Sequence, residues 1–386
     1  MIERETTMEL HGGYRHKASK DTGIPMEQWL DFSANINPLG IPERIQRVMI
    51  QQIEQLIHYP DPDCLALTKA LAEKEGVEEE RIYCGNGGAD VIYRYFTSLN
   101  PKKVLIPVPT FVEYEEVLNN QYPDEVITTT YGNEEKRNTS EYKREIVHYE
   151  MKEPGFILTS DILDVMNSSY DCIVLCSPNN PTGKVIEPLL LKQIVQRAKE
   201  YDIQVLLDFS FSDFVETQEQ ELNRYLKQQP HVTIVHSFTK MYAIPGIRIG
   251  YAVVPDKNRK EQLRKKGSSW NVNHFAQVAA IACLQETAFV QKSIAYIKKE
   301  RQWMQQQLQA LGYLVIKGEA NYMLFQKKGD TTLQERMITH KILIRSCQNY
   351  AGLTADYYRV AVKKEEENKQ LLRALKEEHV CQQNAL

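Results

Sequence analysis

Four short apolar runs, each ending in a turn former or a charged residue, constrain this chain more than any other feature. They are Lys103-Val104-Leu105-Ile106-Pro107, Asp171-Cys172-Ile173-Val174-Leu175-Cys176, Ile203-Gln204-Val205-Leu206-Leu207 and Val232-Thr233-Ile234-Val235. Each reads as a buried strand. Between the second and third, residues 189–198 place Leu190, Leu191, Ile194, Val195 and Ala198 at helical spacing. Strand, helix, strand in that order makes an α/β chain with a mostly parallel sheet and helices on both faces. Ligands in such sheets bind beyond the carboxyl ends of the strands, so the residues just after each run carry the most information.

The 386 residues suit two domains at about 100–200 residues each. The division reads as an N-terminal segment, 1–45, joining the smaller domain, a large domain over 46–255, and a connecting helix with the small α+β domain over 256–386. Forty-seven Lys and Arg against 51 Asp and Glu leave a net charge of −4, which argues against a nucleic-acid-binding surface. No apolar run approaches a bilayer span, and Met1-Ile2-Glu3-Arg4-Glu5 opens no secretory signal, so a cytoplasmic protein away from membranes is expected. Seven scattered cysteines read as reduced thiols. Cys172 and Cys176 would lie about 13 Å apart along one strand, too far for a disulfide or a shared metal. The nine histidines show no metal-ligand spacing, so no metal is expected. The charged stretch 132–153 reads as a surface excursion, partly helical.

Three signals follow the strands. Ser177-Pro178-Asn179-Asn180-Pro181-Thr182-Gly183 comes first, and by itself it is an ordinary strand-to-helix turn. The second is Asp208 at the tip of an apolar strand, a helix cap or a carboxylate awaiting a cation. The third is Ser237-Phe238-Thr239-Lys240, with Arg248 eight residues beyond the lysine. Hydroxyls and a guanidinium suit a phosphate, and a lysine can bond a carbonyl carbon. Pyridoxal 5′-phosphate offers both groups.

In this order and spacing the chain resembles the fold-type I pyridoxal-phosphate family, the aspartate-aminotransferase-like group, over nearly its whole length. The resemblance implies a large domain with a mostly parallel seven-stranded sheet and a smaller α+β domain. It implies Lys240, Asp208 and Asn180 as catalytic residues. Lys240 would carry the cofactor, Asp208 would face its ring nitrogen and Asn180 its ring oxygen. Ser237, Thr239 and Arg248 would hold the phosphate, with Gly87, Gly88 and Ala89 at a helix N-terminus. Phe111 would stack on the ring, and Tyr59 would reach the phosphate across a homodimer. Three positions depart from the usual pattern: Phe211 replaces a tyrosine, Ala89 a hydroxyl, and Phe209-Ser210 follows Asp208.

Within the family, His11-Gly12-Gly13, residues 31–40 around Ser33 and Asn35, Phe211, residues 270–273 and the segment around Arg345 and Arg359 are similar to the L-threonine-O-3-phosphate decarboxylases of cobalamin biosynthesis. Histidinol-phosphate aminotransferases are the next branch. The resemblance implies decarboxylation to (R)-1-amino-2-propanol O-2-phosphate. Arg359 would take the substrate carboxylate, and Arg345 with His11 and Ser33 the substrate phosphate, with Asn35 also at the substrate. A serine-phosphate decarboxylase differs in substrate by one methyl group and stays open, as does the aminotransferase.

Overall fold

The computed structural model describes residues 12–132, 143–216 and 219–383. His11 therefore lies outside the described residues. The strands, in chain order, are β1 (Leu30–Asp31), β2 (Ile82–Gly85), β3 (Lys103–Val108), β4 (Val126–Thr130), β5 (Arg144–Glu150), β6 (Cys172–Cys176) and β7 (Gln204–Asp208). They continue with β8 (Val232–Ser237), β9 (Gly250–Val253), β10 (Leu314–Ile316), β11 (Tyr322–Gln326), β12 (Ile342–Leu343), β13 (Arg345–Ser346) and β14 (Tyr357–Ala361).

Eight of them form one sheet in the order β2-β9-β8-β7-β6-β3-β5-β4, one strand more than the expected seven. All neighbours pair parallel except around β9, which is antiparallel to β2 and β8. The four apolar runs become β3, β6, β7 and β8, adjacent members of this sheet apart from the order of crossing. Their side chains alternate between two cores: Val205 and Leu207 enter one, while Leu206 enters the other. Both faces are thus covered, as a parallel sheet requires.

The expected helix over 189–198 runs Pro188–Glu200. Proline stands in its first turn, and the Glu187 carboxylate accepts from the Leu190 amide at 2.7 Å. Leu190, Leu191, Ile194, Val195 and Ala198 are its buried face. The helical region after Pro255 resolves into Lys257–Arg264, His274–Cys283 and the 24-residue Thr287–Ala310.

The reading of 132–153 as a surface excursion needs correction. Its second half is β5, paired on both sides, with Ile146, Val147, His148 and Tyr149 all buried. Charged residues at both ends of the strand hid this. Arg144 lies 3.6 Å from the Tyr122 ring centroid, and Lys103 and Glu145 form a 2.9 Å ion pair. Residues 133–142 lie outside the described part.

A second, antiparallel sheet has the order β10-β11-β14-β13. The N-terminal β1 pairs in parallel with β12, beside that sheet. No helix among the described residues is long and apolar enough to cross a membrane. The described residues contain no cluster of His, Cys, Asp and Glu able to hold a metal ion.

Candidate active site

Asp208 is the last residue of β7 and only 3% exposed. A buried carboxylate needs donors. The Tyr114 hydroxyl donates to Oδ2 at 2.7 Å and the Ser210 amide to Oδ1 at 2.8 Å. Tyr114 was not foreseen; it comes three residues after Phe111, whose ring meets it edge-on at 5.7 Å. Desolvation, then the Asp208 charge, pushes the Tyr114 phenol well above its ordinary value, so it stays a donor.

Lys240 stands three residues beyond β8, in a tight turn. Burial lowers its ammonium to about 8; Asp208 opposes the shift, while Arg248 and Arg359 add repulsion. Four sequence-predicted groups therefore sense one another here. The Lys240 amine makes no hydrogen bond or ion pair with the described residues; Nζ lies 5.9 Å from the centroid of the Phe211 ring.

Gly87 caps the helix Gly88–Leu99 with φ +93°, a conformation that favours glycine, and Arg248 folds over it where a Cβ would stand. A Cβ on Gly250 would meet the Gly88 amide nitrogen at 2.7 Å, so β9 presses directly against this helix terminus. Gly88 and Ala89 open the helix, and Ser237 Oγ and Thr239 Oγ1 lie 2.8 Å apart beside it. The Asp90 carboxylate, which would repel an anion, is engaged by the Asn86 amide, Arg94 and Asn271. Together, the first-turn amides, two hydroxyls and one guanidinium suit a phosphate.

The 177–183 turn is fastened by Asn179, which accepts from Thr110 at 2.7 Å and donates to the Pro109 carbonyl at 2.9 Å. Its neighbour Asn180 accepts from Arg359 through Oδ1, which leaves the amide Nδ2 free to donate elsewhere.

Arg345 and Arg359 lie opposite each other in the β13–β14 register, both buried. Arg359 also donates to the Ser33 carbonyl at 2.8 Å and to the Tyr350 hydroxyl at 3.3 Å. Arg345 donates to Asn349 at 2.7 Å and lies over the Tyr350 ring. Tyr350 was missed because it lies in the connection between β13 and β14, and the fold of that connection rather than a motif brings it to the two arginines.

The Ser33 hydroxyl is fully buried and already engaged: it donates to Asp31 at 2.6 Å and accepts from the Gly13 amide at 2.8 Å. Its carbonyl, through Arg359, is what faces the site. Gly12 packs on that same carbonyl with no room for a Cβ, which explains the paired glycines after His11. Asn35 is buried with Oδ1 lacking a hydrogen-bond partner. Tyr59 stands apart, 82% exposed and 5.0 Å from the Trp270 ring.

This constellation fits pyridoxal phosphate. A half-buried amine without a partner, a carboxylate held by two donors, a helix terminus that only glycine could form beneath an arginine, and the partnerless Arg359 Nε and Asn35 Oδ1 are what such a ligand would complete.

The comparisons agree. The chain is 37% identical over 369 residues to the threonine-phosphate decarboxylase of Salmonella typhimurium, covering 95% of each. The crystal structure of the histidinol-phosphate aminotransferase from Clostridium acetobutylicum superposes with a TM-score of 0.80 at 28% identity, over 92% of this chain and 100% of that one. The L-threonine-O-3-phosphate decarboxylase from Porphyromonas gingivalis gives 0.75 at 25% identity, over 90% and 98%. The model of the aminotransferase class I and II family matches residues 27–375. With that match spanning most of its length, the chain belongs to the aminotransferase class I and II family.

Proposed function

We propose that this protein is a pyridoxal-phosphate-dependent decarboxylase that converts L-threonine O-3-phosphate to (R)-1-amino-2-propanol O-2-phosphate in cobalamin biosynthesis. One observation carries the reading: beyond the phosphate-holding terminus, two buried arginines face each other in register, enough for a substrate with a carboxylate and a phosphate. The decarboxylase relatives support it.

Pyridoxal phosphate supplies an aldehyde for the substrate amine and a ring that draws electrons from Cα. Lys240 would hold the cofactor and, once displaced by the substrate amine, its ammonium form would deliver to Cα the proton that replaces the departing CO2. Asp208, kept in place by Tyr114 and Ser210, offers the ring nitrogen a negative charge. Asn180, tethered through Oδ1 by Arg359, would donate from Nδ2 to the ring oxygen. Gly87, Gly88, Ala89, Ser237, Thr239 and Arg248 take the phosphate, and Phe111 stacks on the ring. Arg359 grips the substrate carboxylate, and Arg345 with His11 takes the substrate phosphate. Ser33 and Asn35 set the wall of that pocket. By fixing the carboxylate, Arg359 decides which Cα bond is presented for cleavage.

The protein acts as a homodimer, with Tyr59 reaching the second site. Ile50, Ile53, Leu56, Ile57, Tyr59 and Trp270 are all exposed, an apolar patch of the kind an interface covers. The six described cysteines are free thiols, which supports a reducing cytoplasm.

The test is a product assay with the cofactor-loaded protein and L-threonine O-3-phosphate without any keto acid. CO2 and an aminopropanol phosphate are expected, and L-serine O-phosphate run in parallel fixes the substrate's side chain. No CO2, with glutamate formed from histidinol phosphate and 2-oxoglutarate, overturns the decarboxylase in favour of the aminotransferase.

A further inference from the structure

Residues 33–37 connect the carboxylate-holding arginine to the lysine. Ser33, Asn35 and Asn37 are all buried, at every second position. The Ser33 carbonyl accepts from Arg359 at 2.8 Å and the Asn35 carbonyl from Asn321 at 3.0 Å. Asn37 makes the last attachment. Its amide N–H donates to the Lys240 carbonyl at 3.0 Å, and its Nδ2 donates to the Met241 carbonyl at 2.7 Å and to Ser293 Oγ at 2.8 Å. Its Oδ1 accepts from the Leu39 amide at 3.0 Å, so every polar atom of the side chain is used.

The lysine turn needs such support. Its own backbone bonds are longer, from Tyr242 to Phe238 at 3.2 Å, Ala243 to Lys240 at 3.4 Å and Ile244 to Thr239 at 3.1 Å. Ala243 is held at φ +54°, a left-handed conformation that persists in a non-glycine residue only when its surroundings impose it.

We propose that Asn37 is a positioning residue for Lys240: it fixes the two peptide carbonyls that follow the lysine Cα, and so fixes where the amine points. Asn37 touches neither substrate nor cofactor and acts through the backbone of Lys240. The inference rests on the reading of Lys240 as the cofactor-bearing residue.

The experiment compares wild type, Asn37→Ala, Asn37→Asp and Ser293→Ala as full chains loaded with pyridoxal phosphate. Each is titrated with pH while the cofactor's visible absorbance is followed, and kcat and KM are expressed per bound cofactor. Asn37→Ala is expected to lose about tenfold in kcat, the scale of one or two lost hydrogen bonds, with KM within about twofold. Its absorbance midpoint moves upward, because a loosened turn lets water reach the lysine nitrogen that bears the cofactor and favours its protonated form. Asn37→Asp keeps the backbone tie and the Leu39 contact but cannot donate to Met241; it shows the same change and covers the case in which the alanine variant does not fold. Ser293→Ala gives a smaller change in the same direction.

An unaltered midpoint and kcat per cofactor in both Asn37 variants, with only a lower melting temperature, overturns the proposal and leaves Asn37 a packing residue. A wild-type protein that does not capture the cofactor on Lys240 overturns the proposed function instead, and the wild-type arm shows this before any variant is read.

Discussion

On the proposed role of Lys240, covalent capture of pyridoxal phosphate by the cofactor-free protein would depend on its free amine. With its pKa lowered from 10.5 to about 8, about 9% of Lys240 is neutral at about pH 7, against about 0.03% for an unperturbed lysine. Capture at that pH is therefore expected to be faster by on the order of a hundredfold or more through ionisation alone. The sign is fixed: the amine loses its proton as pH rises, so the second-order rate climbs about tenfold per unit below about pH 8 and levels above it. Arg359→Met removes one of the two cationic neighbours and moves the midpoint upward. Stopped-flow absorbance of the cofactor, mixed with apoprotein across the pH range, gives the profile directly. A rate that continues to climb to about pH 10, or an Arg359→Met midpoint that moves down, refutes the argument that burial and cationic repulsion free this amine.

Tyr114→Phe leaves the buried Asp208 carboxylate with the Ser210 amide alone; the cofactor-free protein should lose about 1.5–3 kcal/mol of unfolding free energy in urea, the scale of a hydrogen bond to a charge. Gly87→Ala forces a Cβ into the Arg248 guanidinium at a positive φ, so cofactor affinity, measured by equilibrium dialysis, should fall by at least about tenfold while the far-ultraviolet circular dichroism is kept. Ile57→Asp places a charge at a side chain 83% exposed in the single chain; a monomer would tolerate it, whereas the homodimer should shift toward monomer in analytical ultracentrifugation.

The sheet was legible because its strands are buried on both faces and so read as continuous apolar runs. Asp208, Lys240 and Arg248 were legible because each follows such a run at a fixed distance. β5 was not, since its charged ends, Arg144, Glu145 and Glu150, outweigh the Ile146-Val147 centre in any local average. Tyr114 and Tyr350 were invisible for another reason: their partners Asp208 and Arg359 are supplied by tertiary packing, and no spacing in the chain announces it. Ser33 shows the converse, a residue found by motif whose hydroxyl turns inward to Asp31.

The close approach of Gly250 to the Gly87–Gly88 terminus bears on how the site comes into being. In the sheet Gly250 pairs with Gly85 on one side and with Ser237 on the other, so one row of three residues backs the terminus. Gly85 and Gly250 are far apart in the chain, and β2 is an edge strand of four residues. A ribosome that has released the chain as far as Lys240 has delivered the lysine, Asp208 and both Gly87 and Gly88, yet not the strand that joins β2 to the sheet. A phosphate held at that terminus would thus depend on an edge that only β9 completes.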